Sequence, residues 1–150
     1  MQRAVEHHAE QVRVVVADED DARRTGLRGA LEHEGFAVCA EEADAYEAVS
    51  ATLREEPDLC LLAAKLPGGA LLATGEIAVE CPDTRVVLLA DEPEEEDCLT
   101  SLIAGASAYI ETDAPPRRLA AALHDVVAGI PSIPRRFHFR LFEEVRRAGE

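Results

Sequence analysis

Five short apolar runs, at 12–17, 36–40, 59–63, 85–90 and 108–110, alternate with five stretches of mixed apolar and charged residues at 21–34, 43–55, 70–80, 94–104 and 116–128. The runs have the length of strands and the stretches the length of helices, so the alternation predicts a parallel sheet with crossover helices. Val14-Val15-Val16 and Val86-Val87-Leu88-Leu89 are continuously apolar, as strands are when helices cover both faces of the sheet. The expected fold is α/β: a three-layer, doubly wound, five-stranded parallel sheet. In the first helix Ala22, Leu27, Ala30 and Leu31 are expected on the inner face, with Arg23, Arg24, Arg28, Glu32 and Glu34 facing water. Gly35 is placed to end that helix. Asp44 and the acidic run 94–97 put negative charge at helix N-termini, where the backbone dipole favours it.

After Gly129 the pattern changes. Pro131 and Pro134 break the fifth helix, and 135–148 reads as a further helix with Phe137, Leu141, Phe142 and Val145 near one face. Because this stripe follows a sheet already complete, it is expected to dock on a partner, with packing against its own domain as the alternative. The expected organisation is an N-terminal extension over 1–11, a single domain over 12–130 and a linker-like segment with an extra C-terminal helix over 131–150.

Length and charge narrow the function classes. One hundred and fifty residues suit one domain with an ordinary core. No apolar run approaches the roughly 18–20 residues of a membrane span, and the N-terminus lacks the apolar centre of a signal peptide. A cytoplasmic protein without membrane contact is expected. Net charge is −15; the segment from Arg135 onward carries five arginines against three glutamates and is net +2, leaving −17 on the rest. Such a body repels a phosphate backbone, so no direct nucleic-acid binding by this chain is expected. Cys39, Cys60, Cys81 and Cys98 are widely spaced, without metal-ligand spacing, and Cys39 and Cys60 are expected as buried thiols.

Three local stretches carry a family resemblance: Val14-Val15-Val16-Ala17-Asp18-Glu19, the segment from Pro57 to Gly69, and Gly105-Ala106-Ser107-Ala108-Tyr109-Ile110. In their order and spacing, residues 12–130 resemble the receiver domain of two-component response regulators. Asp113-Ala114-Pro115-Pro116-Arg117-Arg118-Leu119 is similar to the LuxR/FixJ-type subfamily. The resemblance implies a flavodoxin-like strand order 2-1-3-4-5 and a site at the carboxyl ends of the strands. It also implies an acidic pair and an acceptor Asp holding Mg²⁺, with a hydroxyl and a lysine on the phosphoryl oxygens. Phosphoryl transfer calls for that set because the charge on the moving group must be met by a divalent cation and fixed donors.

Matched residue by residue, this chain has the acidic pair Asp18 and Glu19, Ala63 at the acceptor, Ala90 at the hydroxyl position, Thr112 at the lysine position and Tyr109 as the switch aromatic. A methyl group cannot attack phosphorus, so the family's covalent step has no nucleophile at its usual place. Asp58 opens its strand about 16 Å from the far end, at roughly 3.3 Å per residue, and belongs to the wrong edge of the sheet. Asp91 is better placed to join Asp18 and Glu19, though solvated loop acids are the preferred reading; Lys65 is expected to face solvent.

The resulting expectation is a non-enzymatic pseudo-receiver in a signalling or transcriptional regulator, acting through a homodimer or a regulatory protein partner. Its contact surface would be the fourth and fifth helices, Tyr109, Phe137, Leu141, Phe142 and Val145. No cofactor is expected, and Mg²⁺ only weakly at Asp18 and Glu19. A small-molecule sensor using the pocket widened by Ala63 and Ala90 is the alternative, and a phosphoacceptor using an unusual Asp ranks last.

Overall fold

The structure, a computed structural model, describes residues 11–149. All but Gln11 of the extension expected over 1–11 lies outside the described residues. The chain runs β1 (Arg13–Ala17), α1 (Asp21–His33), β2 (Ala37–Glu42), α2 (Ala45–Glu55), β3 (Leu59–Ala63), α3 (Ala70–Glu80), β4 (Arg85–Ala90), α4 (Glu95–Ala104), β5 (Ala108–Glu111) and α5 (Pro116–Val127). A 3₁₀ turn (Arg135–Phe137) then leads into α6 (His138–Ala148). The five strands form one parallel sheet in the order β2-β1-β3-β4-β5, so the expected fold class and topology are those observed.

Strand residues alternate between two cores. Val14, Val16, Leu59, Leu61, Val87 and Leu89 pack with Leu31 of α1 and Leu119, Leu123 and Val126 of α5. Val15, Cys60, Leu62, Val86 and Leu88 pack on the other face with Val49 of α2, Ile77 of α3 and Cys98 of α4. Both faces are dry, which is why the strands read as unbroken apolar runs. The second strand runs two residues past its apolar stretch, because Glu41 and Glu42 continue the ladder opposite Val16 and Ala17.

Asp20 caps α1 by accepting from the Arg23 N–H (2.9 Å), and Asp44 caps α2 by accepting from the Glu47 N–H (2.8 Å). Glu94 precedes α4 without a side-chain cap. The expected division of α1 needs correction. Ala22 is exposed, and the arginines, instead of simply facing water, are paired: Arg28 with Glu32 and Glu41, and Arg24 with Asp21 and Glu41.

The turn from α4 into β5 depends on Gly105, which has φ +121° and would bring an added Cβ to 2.7 Å from the Ala78 Cβ of α3. Gly105→Ala therefore combines a strained backbone with a clash against a packed helix, at a cost of about 2–3 kcal/mol. The melting temperature should fall by roughly 4–10 °C. Unchanged melting would mean that α3 and this turn do not approach as closely as described.

The segment after α5 stays with the sheet. The Tyr109 N–H donates to the Ser132 carbonyl (2.9 Å), and Ser132 forms a parallel bridge with Ala108 on the outer edge of β5. Ile133 packs against the core and Phe137 is part of it. The first part of the expected linker, 131–137, is thus laid onto the domain. Among the described residues no helix is long and apolar enough to cross a membrane.

Candidate functional site

Parallel register brings the carboxyl ends of four strands to one place. Ala17 lies opposite Leu62, Ala63 opposite Leu89, and Ala90 opposite Glu111. They surround a pocket of about 180 Å³ whose wall includes Asp18, Ala63, Ala90, Tyr109 and Thr112. The Thr112 N–H donates to the Ala90 carbonyl (2.9 Å) and the Ala64 N–H to the Leu89 carbonyl (2.8 Å), fixing the loops that follow these strands. Ala63 and Ala90 offer the pocket methyl groups, and Thr112 offers an uncharged hydroxyl. Lys65 reaches the rim and is otherwise exposed. Asp58 accepts from the Arg13 N–H (2.9 Å) at the opposite edge of the sheet, far from this pocket.

Two acids of the pocket, Asp18 and Asp91, are engaged by Arg23, an arginine expected to face water. Asp18 is 6% exposed. Its Oδ2 accepts from Arg23 Nε (2.7 Å), and its Oδ1 accepts from Arg23 Nη2 (3.3 Å) and from the Asp20 N–H (2.9 Å). The same guanidinium reaches across the sheet to Asp91, with Nη1 3.1 Å from Oδ2 and 3.3 Å from Oδ1. The hydrogen bond to Asp18 pushes the Arg23 pKa above its ordinary value. Arg24 adds a bond from Nη1 to the Asp18 backbone carbonyl (2.6 Å). Glu19 stands exposed at the rim.

The Mg²⁺ implied by the resemblance needs several free oxygen ligands. Both oxygens of Asp18 and both of Asp91 already accept from N–H donors, the Arg23 cation stands between them, and Ala63 supplies no oxygen. Among the described residues no group of three or more His, Cys, Asp or Glu side chains is arranged to hold a metal ion. As placed, Asp18 and Glu19 do not fit a divalent cation, and Asp18 and Asp91, expected as solvated loop acids, are instead paired by Arg23.

Tyr109 corrects a second expectation. At 1% exposure it is no part of a contact surface: its ring borders the pocket and its hydroxyl accepts from the Glu94 N–H (3.2 Å), just ahead of α4. Burial pushes the phenol pKa up. Phe137, at 7% exposure, is likewise met within the chain, and Leu141 is half-buried. Phe142 and Val145 remain outside, at 69% and 65%. Arg140 fastens α6 to α4 through Glu96 (2.6 Å) and Glu95 (3.4 Å). Beside that clasp Leu102, Ile130, Ile133, Leu141, Phe142 and Val145 line an apolar groove of about 390 Å³.

The four cysteines are free thiols. Burial pushes Cys60 up to about 12 and Cys98 up to about 11, so neither is a thiolate at neutral pH. Cys39 is half-buried rather than enclosed, with Sγ 3.5 Å from the Val14 carbonyl.

Comparison with known proteins agrees with this geometry. The oxygen regulatory protein NreC of Staphylococcus epidermidis is 33% identical over 121 residues, covering 79% of this chain and 56% of that protein. The chain thus spans little more than half the length of such relatives. A LuxR-family two-component response regulator from Aurantimonas sp. SI85-9A1 superposes with a TM-score of 0.82 at 28% identity, over 90% of this chain and 98% of that one. The signal receiver domain of NarL from Mycobacterium tuberculosis gives 0.76 at 28% identity, over 80% and 98%. The sequence model described as the response regulator receiver domain matches residues 14–124. That match begins in β1 and ends in α5, taking in the sheet from Val14 on and every strand end around the pocket, and the chain belongs to the response regulator receiver domain family.

Proposed function

We propose that this receiver domain works without aspartyl phosphorylation, as a protein-interaction module whose partner is a second copy of the chain. The observation that carries the reading is the pair of methyl groups, Ala63 and Ala90, at the ends of β3 and β4. They leave the acceptor position at the end of β3 with no nucleophile and remove one of the phosphate contacts, while Thr112 brings no positive charge to the other. The relatives are named as an oxygen regulatory protein and a LuxR-family regulator. These names support a setting in a regulatory protein; that the domain governs assembly and does not itself touch nucleic acid is proposed from its net charge of −15 and its exposed apolar face.

The proposed contact face combines the apolar groove with exposed Ile103, Phe142 and Val145. Acidic α4 and arginine-rich α6 lie side by side on it. A patch carrying both signs can meet a second copy of itself across a two-fold axis, the arrangement of an isologous dimer. A small-molecule sensor fits less well. The pocket, at about 180 Å³, is below the roughly 300–1,000 Å³ of ordinary ligand sites, and Arg23 occupies part of its wall.

Sedimentation of the wild type beside Phe142→Glu with Val145→Glu tests the reading. The wild type should sediment as a dimer and the double variant as a monomer that keeps the wild-type circular dichroism spectrum, because both side chains are exposed within one chain. Identical oligomeric states for the two proteins would exclude this face.

A further inference from the structure

We propose that Arg23 is a built-in counter-cation: its guanidinium stands in for the divalent ion of the family and tethers the end of β1 to the loop between β4 and α4. The inference deepens the function proposed above, and rests on it only in taking the pocket to work without a phosphoryl group.

Three observations carry it. Asp18 is a nearly buried carboxylate, and a buried charge without a partner is costly. Arg23 supplies that partner through two nitrogens at 2.7 and 3.3 Å. Next, the guanidinium is a rigid plane with donors pointing in several directions, so one group can hold carboxylates from two strand ends. Nε and Nη2 face Asp18, five residues before Arg23 in sequence, while Nη1 faces Asp91, 68 residues after it. The third is that, among the described residues, neither other cation near the pocket pairs with these carboxylates: Lys65 stands exposed at the rim without an ion pair. Arg24 meets only the Asp18 backbone carbonyl and commits its side chain to Asp21 and Glu41.

The two ends of the tether differ in strength. Asp18 is enclosed, whereas the Asp91 side chain is 51% exposed, and an exposed pair contributes little on its own. Asp18 therefore anchors the guanidinium, and Asp91 is the loop that it restrains. Metal and guanidinium compete for the same carboxylate oxygens, so removing Arg23 should uncover a cation site that the wild type lacks.

Mn²⁺ titration by electron paramagnetic resonance, and melting in EDTA or in Mg²⁺, test this on the full chain. The wild type should melt at one temperature in both conditions and hold Mn²⁺ no tighter than millimolar. Arg23→Gln should melt roughly 3–8 °C lower in EDTA, the size expected for losing a charge-assisted bond to a buried group. It should recover part of that loss in Mg²⁺ and bind Mn²⁺ at least about tenfold tighter than the wild type, since the freed oxygens suit a hard cation. Micromolar Mn²⁺ on the wild type would overturn the proposal, as would an Arg23→Gln protein that is neither less stable nor more avid for Mn²⁺. Should Arg23→Gln fail to fold, Asp91→Asn decides. Faster amide exchange confined to 91–94, without new Mn²⁺ binding, supports the tether, and wild-type exchange there overturns it. None of these measurements involves a phosphodonor or the oligomeric state, so failure of the tether is distinguishable from failure of the proposed function.

Discussion

Incubated with acetyl phosphate and Mg²⁺, the wild-type chain is expected to gain no phosphate by intact mass, and Ala63→Asp alone to gain very little. Near-stoichiometric, hydroxylamine-sensitive phosphate is expected only when Ala63→Asp is combined with Ala90→Thr, Thr112→Lys and Arg23→Gln. Each change supplies a different physical requirement at the 180 Å³ pocket. The new carboxylate provides the nucleophile. The hydroxyl and the ammonium meet the phosphoryl oxygens, and losing one such fixed donor costs on the order of a hundredfold in rate. Removing Arg23 frees the Asp18 oxygens, otherwise held at 2.7 and 3.3 Å, for the metal ion. Omitting only the Arg23 change from the combination should leave labelling slow and insensitive to Mg²⁺ concentration. Stoichiometric phosphate on the wild type would refute the phosphorylation-independent reading outright.

Phe137→Ala is expected to lower stability by about 3–5 kcal/mol, the usual cost of removing a buried phenylalanine ring. At roughly 2–4 °C per kcal/mol for a chain of this size, that is a fall of about 6–20 °C in melting temperature. The ring is 7% exposed and sits in the same core as Val15, Leu62 and Tyr109. Phe139→Ala, two residues on and exposed, should stay within about 0.5 kcal/mol of the wild type. A pair of variants that melt together would mean that the 3₁₀ turn is not docked on the core as described.

What the sequence reveals and hides divides along the range of the interactions involved. Val14-Val15-Val16 and Val86-Val87-Leu88-Leu89 announce strands covered on both faces because burial of each run is a local property. Ala63 and Ala90 could likewise be placed at strand ends by counting along those runs. Arg23 could not. Its meaning comes from Asp91, which reaches it only after β1, β3 and β4 have paired in register. The one available signal was an arginine within a turn of a terminal acid, and on an amphipathic helix that reads more simply as a solvated residue. Phe137 was misplaced for a different reason. A single helical period over 135–148 puts it in phase with Leu141, but the 3₁₀ turn before His138 winds at a different angle per residue and carries the ring off that face. Tyr109 was correctly located on its strand, yet which way its ring points depends on the shape left by Ala90 and the Glu94 amide, neither of which local pattern encodes.

The bridge between Ser132 and β5 bears on how the protein behaves at high concentration. An open parallel sheet ends in two strands with unpaired backbone groups, each a template on which another chain can add a strand. Here β2 ends in Glu41 and Glu42, with Glu41 paired to Arg24 and Arg28 of α1, so charge blunts that side. The other side has no such charges over Ala108–Ile110 and is covered by the chain's own backbone at Ser132. Cutting the chain before Ser132 bares the Tyr109 N–H beside an apolar strand. Such a fragment invites aggregation, and any gain in its apparent mass would report sticky edges rather than a functional dimer.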